Sequence, residues 1–140
     1  MRIIKASTKD KKLSDKFIKK EWDIFNKERG YQWREIEHSF IASENKKILG
    51  ILRFKIIGGA SYLSEFIVNK ESRNKSVGKK LFEKFEKFSK EKNCHVIYLE
   101  TTEKHKEAIK FYKKMGFKKI ATLKKNKFKF DCYFFEKILK

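Results

Sequence analysis

The chain has 140 residues, of which 37 are Lys or Arg and 18 are Asp or Glu, a formal net charge of +19. That length suits one domain over residues 1–140, and 40% hydrophobic content with fourteen Phe excludes a disordered polyelectrolyte. No run of about eighteen apolar residues occurs, so no membrane span is expected, and Met1-Arg2-Ile3-Ile4-Lys5 is charged too early for a signal peptide.

Arg2–Ala6 predicts a first short strand. From Lys9 to Arg29, Leu13, Phe17, Ile18, Trp22 and Phe25 recur at helical spacing, and Gly30 supplies a stop. Ser39–Ser43 and Ile48–Ile57 predict strands joined by the polar turn Glu44-Asn45-Lys46-Lys47. Gly58-Gly59 then turns the chain into an apolar, β-rich run over Tyr62–Val68. A polar loop leads into a helix from about Ser76 to Lys92, with Val77, Leu81, Phe85 and Phe88 on one face and Asn93 as its cap. His95–Glu100 predicts a strand, His105–Met115 a helix closed by Gly116. Lys118–Leu123 and Phe128–Leu139 predict a final antiparallel pair around Lys124-Lys125-Asn126-Lys127.

The order β-α-β-β-β-α-β-α-β-β predicts an α+β fold, a mixed twisted β-sheet with helices on both faces. It is not doubly wound, because three strands follow one another without a helix. No linker, repeat or low-complexity tract appears, and there is no Pro. Cys94 and Cys132 lie 38 positions apart without metal-ligand spacing, as two reduced thiols of a cytoplasmic protein would.

The most informative stretch runs from Ser61 to Gly78. A strand feeds a basic loop that becomes a helix N-terminus, where the first amides lack intrahelical partners and the macrodipole is positive. Arg73, Lys75, Lys79 and Lys80 surround the same spot, so a phosphate-bearing ligand is expected there. Arg73-x-x-Ser76-x-Gly78 resembles the pyrophosphate-cradling R/Q-x-x-G-x-G/A loop of the GCN5-related N-acetyltransferases (GNAT). Ala108-Ile109-x-Phe111-Tyr112-x-x-x-Gly116-Phe117 is similar to that family's second hallmark, and the resemblance covers essentially the whole chain. Ser76 departs from the usual Gly, and Asn74 stands where Gly is frequent. Either the loop is reshaped, or Ser76 acts as N-cap and offers its hydroxyl to the ligand.

The resemblance implies an acyl-CoA N-acyltransferase fold with acetyl-CoA as acetyl donor and no metal. The Tyr62–Val68 and His95–Glu100 strands would run parallel and splay apart around the pantetheine arm, whose amides would pair with backbone groups of Phe66, Ile67 and Val68. Arg73, Asn74, Lys75, Ser76, Val77, Gly78 and Lys79 would line the pyrophosphate, and His105 and Phe111 would contact the cofactor from the third helix. Tyr112 matches the tyrosine that protonates the departing thiolate in many members. Glu65 or Glu100, directly or through water, would take the proton of the acceptor ammonium. His38 and His95 have no partners in register for a metal or a triad.

Two other readings remain open: a basic nucleic-acid-binding module, suggested by the charge and 15% aromatic content, and a CoA-binding family member without catalysis. The aromatics fall at core periodicities rather than between lysines on one strand face, which favours the acetyltransferase. The acceptor is not legible: a protein lysine, a peptide N-terminus, a polyamine and an antibiotic amine all fit. Global positive charge works against polycations unless a local acidic patch compensates. Oligomeric state leaves no trace in the sequence.

Overall fold

The protein is described here by a computed structural model covering all residues, 1–140. Its contacts group into two units, Met1–Trp33 and Arg34–Lys140.

In the first unit a 3-10 turn, Thr8–Asp10, leads into helix α1, Lys11–Glu28. The Asp10 carboxylate fixes this entry by accepting the Ser7 backbone N–H at 2.7 Å and the Ser7 hydroxyl at 2.8 Å. Gly30, at φ +75°, ends the helical path, and the Tyr31 N–H returns to the Asn26 carbonyl at 3.2 Å. The strand expected over Arg2–Ala6 does not form; residues 1–6 have no regular structure. Ile3 and Ile4 are neighbours, so an extended chain would point them to opposite sides, and both are exposed. Five residues without a paired ladder do not offset the entropy of ordering them.

The second unit is a six-stranded sheet with strands β1 Glu35–Glu44, β2 Lys47–Ile57, β3 Ala60–Val68, β4 Val96–Thr102, β5 Lys118–Leu123 and β6 Cys132–Ile138. Helix α2, Val77–Glu91, joins β3 to β4, and helix α3, Lys106–Lys114, joins β4 to β5. The spatial order is β1-β2-β3-β4-β6-β5, with β3 and β4 the one parallel pair. Asn45 and Lys46, both at positive φ, make the tight turn between β1 and β2. Gly59 is required twice over: its φ is +80°, and a Cβ there would meet His95 Nδ1 at 2.9 Å. β6 starts later than the sequence suggests, because Lys127–Lys129 closes as a 3-10 turn with the Asn126 N–H on the Phe130 carbonyl at 2.8 Å.

Helices α2 and α3 pack on the same face of the sheet. Phe82 of α2 meets Phe85, Phe111 of α3 and Phe117, over Leu52, Phe54, Leu63, Ile97, Leu99 and Phe135 from the strands. The heptad-like spacing of Leu81, Phe85 and Phe88 thus reads out as one buried stripe. Within this core the hydroxyls of Ser61 and Ser89 satisfy each other at 2.9 Å, tying β3 to α2.

Two irregularities shape the middle of the sheet. A bulge at Ser64, whose hydroxyl caps the Arg53 carbonyl at 3.0 Å, shifts the side-chain alternation of β3. Leu63 and Phe66 therefore both face the helices, while Glu65 and Ile67 face away. The parallel pair β3–β4 extends only over Ala60↔Val96, Ser61↔Ile97 and Tyr62↔Tyr98. Beyond that rung the strands part.

Candidate active site

The gap between β3 and β4 opens beside the N-terminus of α2, and the loop that leads there is tightly organised. After β3, the Asn69 side chain accepts the Ser72 N–H at 2.9 Å, and Arg73 Nε donates to the Val68 carbonyl at 3.1 Å. Asn74 and Ser76 then both adopt left-handed backbone, φ +59° and +62°. Ser76 occupies the N-cap position, but its hydroxyl makes no capping bond. It takes the conformation a glycine would take, at a cost of about 1–2 kcal/mol. The first helical bond is Lys80 N–H to the Ser76 carbonyl at 3.0 Å, so the amides of Val77, Gly78 and Lys79 have no intrahelical acceptor. Alternating backbone of this kind turns successive N–H groups into one concavity, an anion-binding nest.

This concavity continues into a cleft of about 500 Å³. Phe66 and Val68 form one wall, Arg73, Asn74, Ser76, Gly78 and Lys79 the end, and Glu107, Ala108, Phe111, Tyr112 and Lys114 of α3 the other wall. A Cβ on Gly78 would lie 3.4 Å from Phe66 Cζ, 3.7 Å from Val68 Cγ2 and 4.0 Å from Phe111 Cε2. Those are ordinary contacts, so the bare Cα at this position is not demanded by packing. It leaves room in the cleft for a ligand to approach the backbone.

Tyr112 is buried, its ring edge-on to Phe111 and Phe117 at 5.8 and 5.7 Å. Burial pushes its phenol up to about 12, so it carries its proton throughout the physiological range. Its hydroxyl is not sealed away without a partner, and Tyr112 lines the cleft.

Nine of the residues expected at the site are thus brought together: Phe66, Val68, Arg73, Asn74, Ser76, Gly78, Lys79, Phe111 and Tyr112. Others lie elsewhere. Ile67 points away from the helices and is exposed, Val77 packs into the core, and Lys75 is on the loop outside the cleft. His105 precedes α3 with its Nδ1 3.1 Å from the Thr101 hydroxyl, also outside the cleft. Glu107 and Lys114 were not anticipated. They fall with Phe111 at i, i+4 and i+7, a helical stripe that the sequence does carry.

Both candidate carboxylates lie on the sheet face opposite α2 and α3, one on each lip of the gap. Glu65 is held by Arg53 Nη1 at 2.8 Å, and Arg53 also approaches Glu37 at 3.8 Å. Glu100, two residues past the last β3–β4 rung, accepts Lys127 Nζ at 2.8 Å and the Cys132 thiol at 3.6 Å. Lys55 and Glu35 pair on the same face at 2.6 Å. Four glutamates against three cations give this strip a balance unlike the molecule's +19. Both cysteines are free and buried, and no cluster of His, Cys, Asp and Glu has metal-binding geometry. No helix is long and apolar enough to cross a membrane.

A mixed sheet whose central parallel strands part beside an anion-ready helix N-terminus defines a group-transfer fold with a carrier-binding cleft. The chain belongs to the acetyltransferase (GNAT) family, whose profile matches residues 7–117. It is similar over 99% of its length to an acetyltransferase from Bacillus cereus ATCC 14579, at 22% identity, 98% coverage of that chain and TM-score 0.83. A GNAT-family acetyltransferase from Staphylococcus aureus Mu50 is 32% identical over 74% of this chain and 68% of its own, at TM-score 0.65. A Bacillus anthracis str. Ames protein solved in complex with acetyl coenzyme A matches 74% of this chain and 63% of its own, at 25% identity and TM-score 0.69. A sequence comparison with curated proteins yields no match.

Proposed function

We propose that the protein is an acetyl-CoA-dependent N-acetyltransferase that acts on a primary amine by direct attack in a ternary complex. One observation carries this reading: the left-handed loop at the start of α2, the parted strands β3 and β4, and Tyr112 all open onto one cleft.

The residues fit the donor. The Val77, Gly78 and Lys79 amides, with Arg73 and Lys79 side chains, would hold the pyrophosphate. The backbone of Phe66 and Val68, unpaired on the β4 side, would hold the pantetheine amides as a neighbouring strand does. Acetyl-CoA supplies an acyl group activated as a thioester.

The acceptor nitrogen attacks that carbonyl carbon from the opposite sheet face, forming the C–N bond as the C–S bond breaks. Tyr112 donates a hydrogen bond to the departing sulfur, and any proton it passes on is restored by the second proton that the acceptor nitrogen loses as it becomes an amide. Glu100, the less exposed of the two carboxylates on the lips of the gap, would take the ammonium proton, directly or through water, although Lys127 pairs with it as Arg53 pairs with Glu65. Glu65 is the more exposed and is engaged by Arg53. The near-balanced glutamate strip lowers the electrostatic penalty that a molecule of +19 imposes on a cationic acceptor.

The test is release of free CoA thiol with a panel of primary amines, alongside calorimetry of acetyl-CoA on wild type and Arg73→Ala. Turnover with at least one amine, and an affinity loss of about 1.5–3 kcal/mol for Arg73→Ala, are expected. Tight acetyl-CoA binding with no turnover on any amine would instead favour a CoA-binding protein without catalysis.

A further inference from the structure

The loop between β5 and β6 is both strained and fastened. Phe128 and Lys129 take left-handed backbone, φ +56° and +62°, without being glycine. The Asp131 carboxylate accepts the Lys125 N–H at 3.1 Å, and the Lys127 carbonyl accepts the Phe130 N–H at 3.1 Å. Phe128 is left 86% exposed, so burial of its ring does not account for this shape. What the turn does accomplish is to bring Lys127 to Glu100 on β4, with Nζ 2.8 Å from Oε1.

Glu100 is the candidate base at the lip of the parted seam, so a nitrogen bound to it stands where an acceptor amine has to stand. The carboxylate is held at both oxygens, by Lys127 at Oε1 and by the Cys132 thiol at Oε2, 3.6 Å away. The pair also acts across the last rung of the seam. Burial first raises the pKa of the Tyr62 phenol on β3, Glu100 adds to this rise and Lys127 opposes it.

The other cations near the seam do not share this position. Arg53 holds Glu65 on the facing lip, but a guanidinium keeps its proton and is no nucleophile. Lys55 is bound to Glu35 on the outer strand β1. Lys79 and Lys114 line the donor cleft among α2 and α3. Lys127 is the primary amine on a lip carboxylate. Its side chain is 60% exposed, and an ion pair so open to water holds the nitrogen too weakly to keep it out of the gap.

We propose that Lys127 is a self-acetylation site, to which the protein transfers an acetyl group from acetyl-CoA within one chain. This inference rests on the acetyltransferase reading. The hydrogen bond to Glu100 raises the Lys127 pKa, so the nitrogen waits as an ammonium. It passes one proton to Glu100 along that bond, and Nζ then forms the C–N bond as the C–S bond breaks. The second proton that the nitrogen loses goes to the thiolate, so the products are an acetylated lysine and free CoA thiol.

The full-length protein is made in a reconstituted translation mixture free of acetyl-CoA, then incubated with acetyl-CoA carrying a deuterated acetyl group. Peptide mass spectrometry should find Lys127 labelled at least about tenfold faster than the other lysines, and than Lys127 itself in the urea-unfolded chain. Because donor and acceptor are held in one molecule, the rate constant should not change on about tenfold dilution of the protein. Lys127→Arg keeps a cation on Glu100 and should abolish the fast mass gain. Glu100→Gln leaves the lysine in place and should slow its labelling about tenfold or more. Labelling of Lys127 at the background rate, a rate constant that rises with protein concentration, or an unaffected Glu100→Gln variant would each overturn the proposal. A parallel incubation with a panel of external amines reports on the acetyltransferase reading alone. Their turnover alongside an unlabelled Lys127 removes only self-acetylation, whereas absence of both removes both.

Discussion

Removing one oxygen, in Tyr112→Phe, separates chemistry from binding and from folding. The phenol stands at about 12, whereas a thiol titrates near about 8.5. Burial has made this phenol a weak acid, so full proton transfer to the departing thiolate gains it little. Tyr112 must therefore act while the C–S bond is breaking, chiefly as a hydrogen-bond donor to accumulating charge. Such a bond contributes about 1.5–3 kcal/mol, which converts to a rate factor of about 10–150. That is the low end of what general acids deliver, because burial has made this acid a weak one. The interaction grows only toward the transition state, so acetyl-CoA affinity should stay within about twofold of wild type. The melting temperature should hold or rise slightly, since the hydroxyl has no partner within the chain and the ring packing against Phe111 and Phe117 is kept. Single-turnover rates, measured with the best acceptor under saturating donor, report the step without product release. Retention of full single-turnover activity would refute the reasoning, as would a loss that appears wholly in donor affinity.

Three further outcomes follow from the same geometry. In the unfolded chain Tyr112 ionises near about 10, but in the fold only near about 12. Its folded pKa is raised, so the stability it contributes is fully present below about pH 10 and lost toward about pH 12, about 2–3 kcal/mol in all. Urea unfolding across that window should fall more steeply for wild type than for Tyr112→Phe, and parallel curves would contradict this. Gly78→Ala should leave the melting temperature unchanged or higher and weaken acetyl-CoA at least about tenfold, because its Cβ fits the protein but fills the cleft; calorimetry with unchanged affinity would remove Gly78 from the site. Ser76→Gly should relieve the left-handed strain at φ +62° while costing unfolded-chain entropy, for a net change within about 1 kcal/mol and donor affinity equal or tighter. A marked loss of affinity would mean that the Ser76 hydroxyl itself binds.

Much of the fold was legible because the sequence repeats its physics locally. Val77, Leu81, Phe85 and Phe88 could only be one face of a helix, and the Glu44–Lys47 turn bounded two strands cleanly. The site loop was legible for the same reason, a strand breaking into cations and then a helix. What stayed hidden depends on partners distant in sequence. The segment Arg2–Ala6 has strand composition but no ladder to join. A period-two count along β3 puts Leu63 and Phe66 on opposite faces, and only the bulge at Ser64 brings them together. Glu65 and Glu100 are candidate bases in the sequence, but their partners Arg53 and Lys127, 12 and 27 positions away, are not legible there. Even Ser76 was ambiguous, because an N-cap position and a left-handed conformation coincide there without a capping bond.

The three-rung seam between β3 and β4 has a consequence for the protein without ligand. Most sheets keep their unpaired N–H and C=O groups at the outer strands, where charge or a covering loop protects them. Here a ragged edge lies at the centre, along Phe66–Val68, and only β2 holds that strand from the other side. Amide hydrogens in this interior margin should exchange with solvent faster than those of β2, although they sit nearer the middle of the sheet. An extended peptide from another chain finds the same vacancies that a pantetheine arm would fill. A donor bound in this seam would stabilise the folded chain by RT ln(1 + [L]/Kd).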